Sequence, residues 1–285
     1  MNKGFIVSMS STTTALSDIP NGVVPLPMVT DWYPTVEGFV QQRAIDFLES
    51  GQIVLLPNLP FAIKPAEMSI FTVLNTALKQ SKAKNISYNV KTNTLSGLQT
   101  DSNETVAVLS VLKRYAHQTA TLLNQLLPHY TPSLMQQRTS YRAVEIQGRK
   151  APSIRKDDTK LHVDAFPANP TQGNRILRVF TNINPHGQPR HWHVGEPFET
   201  VATQFLPQLS TRQLPGMPKL LRQLNLTKSY RTNYDHIMLQ LHNSMKEDAQ
   251  YQQTASHVSH FCQQVLLGLC LLIKCRTQLY QVSTC

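Results

Sequence analysis

An α+β protein is what this sequence predicts, with a β-rich core and helices packed outside it. Three observations carry that expectation. Helical periodicity runs from about residue 36 to residue 128, three alternating segments follow between about residues 138 and 185, and helical periodicity returns from about residue 198. No internal repeat is visible.

Residues 1–35 are rich in Pro, Ser and Thr and predict an irregular leader. "VEGFVQQRAIDFLESG" predicts a helix stopped at Gly51. "QIVLLPNLPF" predicts a short buried strand ended by prolines, and "PAEMSIFTVLNTAL" a helix with Pro in its first turn. Residues 84–103 are polar and turn-like, and "TVAVLSVLKRYAHQTATLLNQLLPHY" predicts a long amphipathic helix ended by Pro128. "QRTSYRAVEIQGR", "TKLHVDAFP" and "RILRVFTNINP" predict three strands, and "PHGQPRHWHVGEP" a turn. "FETVATQFLPQL" and "NYDHIMLQLHNSMKEDAQYQQ" predict helices. The expected organisation is a leader over 1–35, one domain over 36–255 that becomes strand-rich from about 138, and a tail over 256–285.

The chain has 285 residues, of which 41% are hydrophobic and 15% charged, which suits a soluble globular protein. No stretch approaches the roughly 20 apolar residues of a membrane span. The apolar patch near the start is shorter than the core of a signal peptide, about 7 residues at least. A cytoplasmic protein is expected. A net charge of +10 suits a polyanionic partner such as nucleic acid, anionic lipid or a phosphorylated glycolipid, or serves solubility alone. No nucleic-acid-binding signature accompanies it, so no nucleic-acid partner is expected.

In "KLHVDAFP" (160–167), strand alternation puts Leu161, Val163 and Ala165 on one face and His162 and Asp164 on the other. An imidazole and a carboxylate two apart suit a divalent metal, as the opening of a facial set of two His and one carboxylate. The competing reading is a surface pair.

The longer stretch "HVDAFP…NPTQGNRILRVFTNINPHGQPRHWHVGEPFE" resembles the Kdo (3-deoxy-D-manno-oct-2-ulosonic acid) hydroxylases, over roughly residues 35–255. The resemblance implies a double-stranded β-helix (jelly-roll or cupin-like) core with flanking helices. It implies an Fe(II)- and 2-oxoglutarate-dependent dioxygenase, with ascorbate as an accessory reductant, that hydroxylates the Kdo sugar of lipid A in Gram-negative bacteria. His162 and Asp164 become the first two iron ligands. The implied partner is a Kdo glycolipid at the inner-membrane surface, met by a cytoplasmic or peripheral protein. Arg175 and Arg178 are three apart on one strand and face opposite ways; one of them suits the 2-oxoglutarate carboxylate, and a structural ion pair is the alternative. Lys156 and Lys160 suit a phosphate or sugar acid at the mouth, or are simply solvated.

The family carries its second His ligand in a C-terminal stretch of the form "DQVSH", and this sequence has none. His236 and His242 fall on a predicted helix, His191 and His193 in a predicted turn, and His257 and His260 lie nearest the expected place without its strand pattern. The tail is unusual. All four cysteines (Cys262, Cys270, Cys275, Cys285) lie in the last 24 residues, and no Asp or Glu follows Asp248. Read one frame over, synonymous codons for Ile273 to Thr277, with the last base of Leu272, encode Asp-Gln-Val-Ser-His. From Gln263 onward the same shift permits "PAGSTWVVFTDQVSHTVISGQHV". The sequence thus points to a frameshift between about Ala255 and Phe261; a divergent tail is the rival reading. A shifted tail predicts missing last core strands, weak iron binding and little turnover.

Overall fold

The structure is a computed structural model that describes residues 22–71, 85–98, 103–142, 151–184, 190–255, 258–262, 265–270 and 278–284. Its first region is set by two apolar helical stripes. Helix α1 (Gly38–Glu49) buries Val40, Ala44 and Leu48, spaced four apart, so all three face one way. Gly51, with φ 78°, turns the chain after it, as predicted. Strand β1 (Val23–Pro25) runs parallel to β2 (Ile53–Leu56), and residues 65–71 form helix α2. Helix α3 (Asn103–Leu126) buries Val108, Val111, Leu112, Tyr115, Leu122 and Leu126 against the same core. Trp32, Phe61 and Tyr115 meet there edge to face, with centroids 5.0–5.9 Å apart.

The remaining described strands are β3 (Ile86–Asn89), β4 (Thr94–Ser96), β5 (Leu134–Tyr141), β6 (Arg175–Thr181), β7 (Arg190–Val194), β8 (Val258–Cys262), β9 (Val265–Cys270) and β10 (Gln278–Thr284). One eight-stranded sheet has the order β1-β2-β9-β6-β10-β5-β3-β4, and β7 pairs with β8 in a second, two-stranded sheet. Helices α4 (Phe198–Phe205), α5 (Met217–Gln223), α6 (Asn233–Glu247) and α7 (Ala249–Thr254) follow β7. A smaller core of Val201, Phe205, Met238, Leu241, Met245 and Tyr251 joins α4, α6 and α7.

Mixed helices and sheet match the α+β expectation. Five details differ. The leader contributes β1, too short to show a pattern of its own and fixed by β2. The polar stretch 84–103 holds the β3–β4 hairpin, whose turn places Asn93 at φ 55°. "TKLHVDAFP" has no ladder partner; its residues 161–166 lie outside both sheets. Part of the expected turn "PHGQPRHWHVGEP" is β7, because β8 supplies its partner.

The fifth correction concerns the tail, where the last core strands were expected to be missing. Strands β9 and β10 flank β6, with Gly268 and Gln281 both in register with Arg178. Ladder bonds use only the backbone, and "VLLGLC" and "QLYQVST" are rich in residues that suit strands. Strands can therefore form here whichever frame encodes them. Strand β10 runs parallel to both β5 and β6.

Candidate metal centre

The segment 161–166 lies outside both sheets, yet its side chains divide as alternation requires. Leu161, Val163 and Ala165 pack on the small core of α4, α6 and α7. His162 and Asp164 take the other face, and β6 reaches them from behind: Arg178 Nε donates to Asp164 Oδ2 at 2.7 Å. The Arg178 guanidinium is buried and lies 5.9 Å from the Phe166 ring.

Arg175 points the opposite way, as three-residue spacing on a strand demands. Its guanidinium makes two hydrogen bonds to Glu49 of α1, at 2.8 and 3.0 Å. The two arginines thus separate: Arg178 belongs to the His-x-Asp face, and Arg175 joins the sheet to α1. Lys156 is exposed on a 3-10 turn over Ile154–Lys156. Lys160 is half-buried, and its carbonyl accepts from His162 Nδ1 at 2.5 Å. That bond orients the ring and leaves Nε2 as the lone-pair nitrogen. Burial pushes the His162 imidazole below its ordinary value, against the opposing pull of the Lys160 carbonyl and Asp164. A neutral imidazole is the form a metal accepts.

His242 on α6 sits edge-on to His162, ring centroids 5.1 Å apart. Its Nδ1 bonds Asn243 Oδ1 at 3.0 Å, and burial lowers its pKa also. His236 lies elsewhere on α6, with Nε2 buried and without a hydrogen-bond partner among the described residues. His193 is exposed; His191 is in β7, His260 stands in register with Trp192, and His257 is outside the described residues.

Helices α6 and α7 hold the segment through polar side chains. The Gln252 amide replaces a strand partner: its Oε1 accepts from Leu161 N at 3.0 Å, and its Nε2 donates to Leu161 O at 2.9 Å and to Met245 O at 2.7 Å. Lys246, buried, donates from Nζ to Arg155 O at 3.2 Å and lies 3.8 Å from Asp158. Arg155 pairs with Glu247. After the site, Asp235 accepts from Thr171 N and Gln172 N at 2.7 and 2.9 Å while closing the capping box that starts α6. Sequence reasoning missed Gln252 and Lys246. Neither carries a motif, because their role is set by a fold contact 91 residues away.

Among the described residues, no group of three His, Cys, Asp or Glu side chains is placed to hold a metal ion. The donor set is one neutral imidazole nitrogen and one carboxylate, which fits two positions of a divalent-iron site and leaves the others unfilled.

Known proteins identify the family of the chain. The profile of the family described as 3-deoxy-D-manno-oct-2-ulosonic acid (Kdo) hydroxylase matches residues 31–264. The chain is similar to the Kdo hydroxylase KdoO, a non-heme Fe(II) alphaketoglutarate dependent dioxygenase, solved with alphaketoglutarate and Fe(III). That match has 41% identity over 87% of this chain and 84% of that one, with a TM-score of 0.76. The cobalt(II) complex of KdoO matches at 42% identity and TM-score 0.78, and its apo form at 41% and 0.77, with the same coverage. Among curated proteins, none matches. The class is therefore that of iron- and 2-oxoglutarate-dependent dioxygenases. The chain belongs to the Kdo hydroxylase family, whose cofactors are iron(II) and 2-oxoglutarate.

Proposed function

We propose that this chain is built as a Kdo hydroxylase acting on the Kdo sugar of lipid A at the inner-membrane surface, with His162 and Asp164 as two of its iron ligands. The observation that carries the site is the face of 161–166 shared by His162 and Asp164, with Arg178 against Asp164. Held there, iron would supply the oxygen chemistry that couples 2-oxoglutarate decarboxylation to C–H hydroxylation. The protein's own residues orient and enclose. Lys160 fixes the His162 ring through its carbonyl, Gln252 fixes the backbone beside it, and Arg178 presents a buried cation for the cosubstrate carboxylate. Lys156 and Lys160 meet the acid groups of the sugar or its phosphate.

The tail bears on activity. The family match ends at residue 264, beside the point where the shifted frame begins to spell the family's "DQVSH" region. A jelly roll is antiparallel, whereas β10 runs parallel to both neighbours. Both support an out-of-frame tail that has lost the distal His, leaving an enzyme with impaired turnover. His242, in ring contact with His162, supports a second reading in which a helix nitrogen takes part of the vacant role.

The test is incubation of the purified chain with iron(II), 2-oxoglutarate, oxygen and a Kdo-bearing lipid A. Expected are trace succinate and trace Kdo carrying one added oxygen, both abolished in Asp164→Ala. Turnover that survives Asp164→Ala would sink the site assignment. Brisk turnover that Asp164→Ala abolishes would sink the impairment.

A further inference from the structure

Segment 212–231, between α4 and α6, carries large apolar side chains in water. Leu214 is 68% exposed, Leu220 47%, Leu224 59%, Leu226 58% and Tyr230 45%. They are five of the eleven exposed large hydrophobics among the described residues, gathered within seventeen positions, which is too dense for scattered surface exposure. The backbone keeps them together. Leu220 lies in α5, Leu224 caps its end with its N–H on Leu220 O at 2.9 Å, and Leu226 N folds back to Leu221 O at 2.9 Å.

The same segment is strongly basic. Arg212, Lys219, Arg222, Lys228 and Arg231 lie in it, and no Asp or Glu occurs between Glu199 and Asp235. Among the described residues, Arg222 and Arg231 bond only neutral carbonyls, those of Lys228 and Pro167, which leave their charge in place. None of the ion pairs among the described residues uses these five cations.

We propose that residues 212–231 form a docking surface for an anionic lipid bilayer, with the leucines entering the acyl boundary and the cations meeting the headgroups. Charge selects this occupant. A second copy of the chain would set like charges against one another. Nucleic acid would suit the cations but wants aromatic stacking platforms, and four of the five exposed apolar groups are leucines. The surface is tied to the metal-centre segment: Lys228 N bonds Ala168 O at 2.9 Å, Ser229 Oγ bonds Pro170 O at 3.3 Å, and Arg231 Nη2 bonds Pro167 O at 2.6 Å. Docking there sets the His162–Asp164 loop close to the bilayer, where a lipid-linked sugar is presented. The inference needs neither turnover nor a particular substrate.

The experiment is co-sedimentation of the full chain with vesicles of phosphatidylcholine, with and without phosphatidylglycerol and free of lipid A. Binding to the anionic vesicles is expected to fall at least about fivefold in Leu220→Ser/Leu224→Ser, and by a similar factor in Lys219→Gln/Lys228→Gln. These positions are exposed, and unchanged thermal melting shows that each variant folds. Anionic-vesicle binding that both variants retain, or that is absent in the parent chain, overturns the proposal. So does a single-stranded oligonucleotide that displaces the vesicles, or self-association that the serine variant abolishes. Substrate hydroxylation does not enter the readout, so failure here leaves the proposed reaction standing.

Discussion

Tyr115 and His162 sit in regions held by different means. Around Tyr115, two helical stripes, three edge-to-face rings and the β2 and β6 strands pack a large apolar core, and the Tyr115 hydroxyl bonds Thr181 at 2.7 Å. Around His162 the chain has no ladder, and the side chains of Gln252 and Arg178 hold segment 161–166, while Lys246 and Glu247 hold Arg155 just before it. In the first region many contacts share the load, so a change there is felt as lost stability. In the second a few hydrogen bonds fix a few atoms, so a change there is felt first in the placement of His162 and Asp164.

The largest effect that can break this comparison is Tyr115→Ala, expected to cost about 4 kcal/mol in denaturant unfolding while leaving metal affinity per folded molecule unchanged. A cost under about 1 kcal/mol would show that the ring cluster is not central. Gln252→Leu comes next. It removes the partners of Leu161 N and O, and should cost about 1–2 kcal/mol of stability and about tenfold in cobalt(II) affinity. A large loss of stability with unchanged affinity would make Gln252 an ordinary packing residue.

A third prediction sharpens the first region by pH. Hydrogen bonds from Arg114 hold the Glu67 carboxyl below its ordinary value. A lowered folded pKa gives stability that is present above the unfolded value and lost as pH falls through the folded one. Arg114→Gln should remove about 1 kcal/mol near neutral pH and flatten the acid slope below about pH 5, measured by melting across pH. An unaltered slope would show that the pair does not contribute. The smallest effect is that of Arg175→Gln, about 0.5 kcal/mol, with 2-oxoglutarate affinity untouched because Arg175 turns to Glu49 on the side of β6 away from Asp164. Weakened cosubstrate binding in that variant would return Arg175 to the site.

Much of the scaffold is legible in the sequence because burial repeats with a period. Val40, Ala44 and Leu48 announce α1, and the α3 stripe announces itself the same way. The His162–Asp164 pair was legible because alternation alone assigns its face, even though the segment is not in a sheet. Separating Arg175 from Arg178 required knowing that Glu49 lies on one side of β6 and Asp164 on the other. Gln252 was invisible, since any exposed glutamine in "QYQQ" looks alike until α7 lies against Leu161. Strands β7 and β8 were missed because each depends on the other. The docking segment had no periodic signal and is recognised only by its exposure.

The central claim, that His162 and Asp164 are two ligands of a site whose third was lost with the reading frame, is tested most directly by cobalt(II) titration. The chain as it stands is compared with one whose residues 263–285 are replaced by "PAGSTWVVFTDQVSHTVISGQHV". The restored chain should bind one ion at least about 100-fold more tightly, as expected for regaining a ligand, and should lose that binding in His162→Ala. Equal, tight one-to-one binding by both chains would contradict the claim and show that the present tail, or a helix histidine, already completes the site.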